Sequence, residues 1–144
     1  MKFRLAVAVA IVALGATSVV AQQDPIAARK AAMKANGQAA GVLTKMVKGE
    51  DPFDAAKAQA AFANFADTAA KLKTSFPESS KTGDTRALPA IWENKAGWDA
   101  AVAKFAKDVD DNKAKVATLD GLKAALPVVG KNCGDCHQAF RKPQ

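Results

Sequence analysis

The residues best suited to chemistry lie together near the end of the chain, where Cys133, Cys136 and His137 form the pattern C-x-x-C-H. They are the only two cysteines and the only histidine among 144 residues. On a helix, positions three and four apart share a face, so both sulfurs and the imidazole would project the same way. This spacing is the attachment signature of c-type haem, with two thioether bonds and a histidine ligand to the iron. The pattern predicts one covalently bound haem c.

Other uses of the same residues fit less well. A disulfide between Cys133 and Cys136 is an option in an oxidising compartment. A thioredoxin-like redox motif needs a βαβ setting, which this sequence does not offer. A structural zinc site needs four ligands, and the three Cys and His side chains of this chain all fall within five residues. Chance does not explain why the whole supply of these residue types lies in one place.

The sixth ligand of the iron is less constrained by the sequence. With His137 assigned, no second histidine exists, so the position is left to methionine, another donor, an exogenous ligand or no ligand. Besides Met1, the chain has Met33 and Met46, thirteen residues apart on the first predicted helix and so about 20 Å apart along its axis. Only one can reach the iron. Spacing favours Met33, which lies on the inward face of the first helix together with Ile26 and Ala40. Met46 lies off this face and is predicted to fill space in the core.

The elements that must position these residues are all predicted to be helices, because Ala and Lys favour helix and no long stretch alternates with a period of two. The first helix is predicted over residues 24–48, from an Asp-Pro start to a glycine stop. The second is predicted to begin at the Asp-Pro pair 51–52 and must end before Pro77. The polar segment 77–87 is predicted to be the longest loop, crossing or capping the bundle.

Two further helices complete the predicted fold. The third covers residues 88–117, with a seam of period three and four made by Ile91, Lys95, Trp98, Val102, Phe105 and Val109. The fourth covers 119–141, and Pro127 predicts a kink or two abutting helices. One face of this fourth segment carries Leu122, Leu126, Val129, Cys133, Cys136, His137 and Phe140. The expected fold is all-α, an antiparallel four-helix bundle holding one covalently bound haem.

The beginning of the chain predicts export. Two basic residues precede the almost wholly apolar run Leu5–Val20, and small residues lead to Ala21. This is the layout of a secretory signal over residues 1–21, cleaved after Ala21. A retained membrane anchor is the alternative, although the apolar run is short for a bilayer. The mature haem domain would then be residues 22–144, periplasmic and without stable membrane association.

The charge of the chain bears on its partners. It carries 21 basic and 14 acidic side chains, a net charge of +7. Without residues 1–21 the balance is 19 against 14, or +5. The charges are scattered along the helices, which suits transient docking on an acidic redox partner protein. A nucleic-acid partner is not expected, because no basic stripe with interleaved aromatics is present. Lys34 and Lys131 are candidates for contacts with such a partner, around the exposed edge of the haem.

Taken as a whole, residues 22–144 resemble the class II c-type cytochromes, the cytochrome c′ family. The haem motif near the C-terminus, after three helices, is characteristic of this class. The stretch 29–34 (Arg-Lys-Ala-Ala-Met-Lys) is similar to the part of the family's first helix that carries an arginine and, four residues later, the distal residue. The stretch 89–92 (Pro-Ala-Ile-Trp) and the loop before it are also similar.

The resemblance implies roles for two residues of the first helix. A methionine at the distal position is the pattern of the low-spin c-556 type branch, so Met33 would be the sixth ligand and Arg29 would lie near a haem propionate. It implies an electron carrier and not an enzyme, since no distal acid–base residue is left for peroxidase chemistry. The alternative is a high-spin cytochrome c′ type protein that binds NO or CO. A homodimer through the first two helices is a further implication.

Overall fold

The computed structural model describes residues 24–143, and the predicted export signal lies outside them. It contains five α-helices, which are α1 (Pro25–Lys48), α2 (Ala55–Leu72), α3 (Ala90–Glu93), α4 (Lys95–Asn112) and α5 (Leu119–Phe140). Short 3₁₀ helices span Glu78–Ser80 and Lys115–Ala117. Within the described residues there is no β-strand, and one isolated bridge joins Ala87 to Arg141. The predicted all-α class is confirmed.

The four long helices form the predicted bundle. Helix α1 packs against α2 and α5, and α4 packs against the same two helices. The core between them is apolar and includes an aromatic cluster of Phe62, Phe65 and Phe105. No helix in the range 24–143 is long and apolar enough to cross a membrane.

The limits of α1 agree with the prediction because both ends carry strong caps. The Asp24 carboxylate accepts a hydrogen bond from the backbone N–H of Ile26 at 2.9 Å. At the other end Gly49 adopts a φ of +75°, and its N–H satisfies carbonyls of the last turn. The buried side of α1 is centred on Arg29, Leu43 and Met46. The predicted burial of Met46 in the core is confirmed.

The predicted start of the second helix is wrong by several residues. Helix α2 begins at Ala55, because Asp54 and not Asp51 acts as the N-cap. The Asp54 carboxylate accepts from the backbone N–H of Lys57 at 3.0 Å. The inward face of α2 is apolar, since Phe62, Phe65, Ala69 and Leu72 are all buried.

The predicted third helix is divided in two. Asn94, at φ −117° and ψ 62°, ends α3, and its side chain caps α4 by accepting from the N–H of Gly97. Lys95, predicted to belong to the apolar seam, is exposed and pairs with Asp99. The other seam members are buried as predicted, namely Ile91, Trp98, Val102, Phe105 and Val109.

The last helix is one continuous α-helix over nearly all of the predicted range 119–141. Helix α5 continues through Pro127 from Leu119 to Phe140, so the prediction of two abutting helices is wrong. Proline costs the helix one backbone hydrogen bond, and burial of Leu122, Ala125 and Val129 on the same helix supplies stabilisation from tertiary packing. The consequence is one continuous helix that carries the C-x-x-C-H motif near its C-terminal end.

Candidate functional site

A cavity of about 250 Å³ lies beside the C-terminal part of α5. Its walls come from all four long helices and from the loop before α3. The lining includes Met33, Phe76, Ile91, Trp98, Cys136 and His137. The structure thus brings a methionine of α1 to the same space as the histidine and one cysteine of the sequence motif.

Aromatic side chains form one wall of this cavity. The Trp98 ring meets Phe76 edge-on with centroids 4.6 Å apart, and Phe140 with centroids 5.3 Å apart. The Trp92 indole N–H donates to the Phe76 carbonyl at 2.9 Å, which fixes the segment after α2. Such edge-to-face contacts make a close-packed apolar surface.

The three motif residues differ in exposure. Cys136 and His137 are half-buried and line the cavity, whereas Cys133, one helical turn earlier, is exposed and is not part of the lining. Both thiols are free, so the structure has no disulfide between Cys133 and Cys136. Burial raises the pKa of the Cys136 thiol, and the neighbouring Cys133 adds to this.

The surroundings of His137 favour its neutral form. Burial lowers the pKa of the imidazole, and the positive charges of Arg141 and Arg86 lower it further. A neutral imidazole is the form that binds a metal ion. His137 is therefore held ready to act as a ligand.

Arg86 and Arg141 were missed at the sequence level. They are brought together because the segments 86–88 and 140–142 pair. The N–H of Leu88 donates to the Phe140 carbonyl, and the N–H of Lys142 donates to the Arg86 carbonyl. The Arg86 guanidinium also donates to the Lys142 carbonyl at 2.7 Å. Arg141, four residues after His137, could have been found from helical spacing, whereas no local pattern marks Arg86.

Arg29 also lines the cavity, one turn before Met33 on α1. Its side chain is buried, with 6% exposure. Its two terminal nitrogens make four hydrogen bonds, all to the segment 75–85. Burial lowers the pKa of the guanidinium, which as an arginine still stays charged. The expected contact with a haem propionate stays a prediction.

The two lysines proposed as contacts with a redox partner differ. Lys34 is exposed on α1, while Lys131 forms an ion pair with Asp135 at 2.7 Å on α5. Met46 is absent from the cavity lining, and only 3% of its surface is exposed. Of the two candidate methionines, Met33 is thus the one that the fold brings to the motif.

The residues present fit a c-type haem. Two thiols one turn apart, an adjacent neutral histidine and an apolar cavity make up the donor set and surroundings that such a group needs. In the described chain, no group of three or more His, Cys, Asp or Glu side chains is arranged to hold a metal ion without such a cofactor.

Comparison with known proteins places the chain among haem proteins. The family model described as Cytochrome C′ matches residues 24–141. A cytochrome c′ of Rhodopseudomonas palustris is 44% identical over 142 residues, 98% of this chain and 97% of the relative. A cytochrome c-556 of the same organism is 41% identical over 133 residues, 89% of each chain. The solved structure of cytochrome c′ from Rhodopseudomonas palustris matches with a TM-score of 0.80 at 43% identity, over 85% of this chain and 99% of that one.

Proposed function

Since the chain belongs to the cytochrome c′ family and so carries covalently attached haem c, we propose that it transfers single electrons. In this proposal Cys133 and Cys136 form the thioether links, His137 is the proximal ligand and Met33 is the distal ligand. The haem supplies a one-electron couple between ferrous and ferric iron. The protein supplies the two axial ligands, the apolar walls and the surface through which a partner approaches.

One observation carries the proposal, namely that Met33 and His137 line the same cavity although they come from different helices. Met33 at this position would close the distal side and leave no site for substrate. A thioether ligand raises the reduction potential relative to a second histidine. With both axial positions filled by side chains, the coordination is the same in both oxidation states, which keeps the reorganisation on electron exchange small.

The walls of the cavity support the same function. Ile91, Trp98 and Phe140 are buried and form an apolar wall of the space beside His137, and an apolar environment strengthens the influence of nearby charges on a redox couple. Because these side chains are close-packed against each other, they have little freedom to rearrange when the charge changes.

The setting of the proposed electron carrier follows from the sequence. We propose cleavage after Ala21, residence in the periplasm, and transient docking on an acidic redox protein. A homodimer through α1 and α2 belongs to the same proposal. The carrier is not expected to be an enzyme, because Met33 would occupy the position that a substrate needs.

The test is the visible absorption spectrum of the holoprotein and of Met33→Ala. The wild-type protein should be low-spin, show the sulfur-to-iron charge-transfer band when oxidised, and remain unchanged with CO when reduced. Met33→Ala should lose the band, bind CO and have a lower reduction potential. Met46→Leu, a substitution at the other methionine of α1, is the matched control and should keep all three properties. An unchanged spectrum in Met33→Ala would refute the assignment.

The second candidate is a protein that captures NO or CO at an open distal side. The near-equal similarity to a cytochrome c′ and to a cytochrome c-556 favours keeping it, since the two relatives are 44% and 41% identical. A high-spin wild-type spectrum that shifts on CO addition would select this function in place of electron transfer.

A further inference from the structure

The segment 75–85, which joins α2 to the loop before α3, forms part of the cavity wall. Phe76 and Thr85 line the same cavity as Met33 and His137. The segment has little regular structure of its own, with a single 3₁₀ turn at Glu78–Ser80. A polar loop of this kind needs bonds to another element to hold one position beside a cofactor.

Those bonds come from Arg29. One terminal nitrogen donates to the Ser75 carbonyl at 3.1 Å and to Ser80 Oγ at 2.8 Å. The other donates to the Ser80 carbonyl at 3.0 Å and to Thr85 Oγ1 at 2.8 Å. The guanidinium carbon also stacks 4.6 Å from the centre of the Phe76 ring. Together these contacts join α1 to four residues of the same segment.

The bonding capacity of Arg29 is nearly exhausted by this segment. A guanidinium has five N–H groups, and the four terminal ones are all engaged, which leaves the one on Nε. A carboxylate normally pairs with arginine through two parallel bonds. Such pairing would break contacts to Ser80 or Thr85, two residues that are themselves fixed by further bonds to Pro77 and Ala87.

We infer that Arg29 is a positioning residue that fastens the segment 75–85 to α1 one turn before Met33, and that it is not the partner of a haem propionate. The inference rests on the proposed function, because it takes Met33 as the ligand whose surroundings are fixed. Arg29 acts through the wall that it holds, and it keeps Phe76 and Thr85 in place beside Met33.

The test changes the two sides of the contact separately in the holoprotein. Arg29→Gln removes the donor and its charge. Ser80→Ala combined with Thr85→Val removes two acceptors and leaves Arg29 unchanged. Lys48→Gln is the matched control, because Lys48 is an exposed lysine of the same helix that pairs with Glu50 and does not line the cavity.

The first readout is amide hydrogen exchange over residues 80–87. It should accelerate about tenfold or more in both Arg29→Gln and the double variant, the size expected when a hydrogen bond to a charged group is lost. Both should also weaken the sulfur-to-iron band, while Lys48→Gln changes neither property. Exchange that stays at the wild-type rate in both variants overturns the inference. If Arg29→Gln fails to fold, the hydrogen exchange of the double variant, in which Arg29 is intact, still tests the inference.

The second readout is the pH dependence of the reduction potential, which reports ionisation of the propionates. If Arg29 has a positioning role, the pH at the midpoint of the change in reduction potential should be the same in Arg29→Gln and in the double variant. A midpoint that moves in Arg29→Gln alone would mean that Arg29 does pair with a propionate. If Met33→Ala has already shown that Met33 is no ligand, the proposed function fails, but hydrogen exchange still tests the role of Arg29.

Discussion

Among the individual residues, the two methionines of α1 show how a difference in position gives one residue type two uses. Met33 is half-buried and lines the cavity beside His137. Met46 is almost fully buried and packs in the core. Both environments suit a flexible thioether, and sequence spacing separated them because the two side chains lie on different parts of the helix circumference.

The first prediction concerns Met46. Met46→Ala should lower the free energy of unfolding by about 2–4 kcal/mol, because it removes a large buried side chain and leaves a cavity. The visible spectrum should stay that of the wild type, since Met46 does not line the cavity. Urea denaturation and absorption measure the two properties. A lost charge-transfer band would reverse the assignments of the two methionines.

Other site residues show where sequence reasoning ends. The spacing of Cys133, Cys136 and His137 could be read directly, because it is local to one helix. The position of Arg86 beside His137 depends on the pairing of segments more than 50 residues apart in sequence, which no local pattern encodes. Arg29 was identified as important, but its bonding partners in the segment 75–85 could not be foreseen.

At the scale of the helices, strong end signals decided how much could be predicted. Both limits of α1 were predicted because an Asp-Pro start and a glycine stop have no competitors nearby. The start of α2 was misplaced because two aspartates lie within four residues and only Asp54 bonds to the first turn. The break at Asn94 was missed because the apolar spacing continues across it.

Two glycines of α5 provide a second prediction. A Cβ atom added at Gly121 would lie 1.9 Å from the Lys115 carbonyl oxygen, whereas one at Gly130 would meet nothing within 4 Å. Gly121→Ala should therefore destabilise the protein by about 1–3 kcal/mol through overpacking. Gly130→Ala should stabilise it by about 1 kcal/mol through helix propensity. Thermal unfolding of both variants tests this, and equal shifts in one direction would contradict it.

A third prediction concerns the contact between α4 and α5 at Asp108, whose side chain is 17% exposed. Hydrogen bonds from Lys104 and, across the interface, from Asn132 hold the pKa of the Asp108 carboxyl below its usual range. A carboxyl with a lowered pKa adds stability above its unfolded value of about 3.9 and loses it as the pH falls through the folded value.

Asp108→Asn should consequently cost about 1 kcal/mol at neutral pH, and the difference from wild type should shrink as the pH falls below about 4. Asp111→Asn removes an exposed carboxylate of the same helix that pairs only with Lys107, and it should change little at any pH. Denaturant unfolding at several pH values gives the comparison. A constant difference for Asp108→Asn across the range would show that its ionisation is not involved.

For the molecule as a whole, the distribution of ion pairs matters more than the net charge. Many exposed lysines of the helices pair with carboxylates of the same helix, including those on α2, α4 and α5. In the described chain Arg86 and Arg141 have no such partner. Part of the positive charge that has no carboxylate partner is therefore found beside His137. The same kind of charge is carried elsewhere in the described chain by Lys34, Lys73 and Lys123.

The fourth prediction follows from this arrangement. Oxidation of the ferrous holoprotein by anionic hexacyanoferrate should slow as ionic strength rises, because screening weakens attraction between exposed charges. Arg86→Gln should reduce the rate at low salt more than Lys123→Gln, which removes the same charge from an exposed position on α5. Stopped-flow absorption measures both. Equal effects of the two substitutions would mean that only net charge matters.

The aromatic wall of the cavity has an optical consequence. Trp98 is 4% exposed and meets Phe76 and Phe140 edge-on in the cavity beside His137. With haem bound, an indole this near the haem-binding space would pass its excitation energy to the porphyrin, so its emission should be quenched while the bundle is intact. When α4 and α5 separate, the emission should return, so tryptophan fluorescence would report whether the haem pocket is assembled.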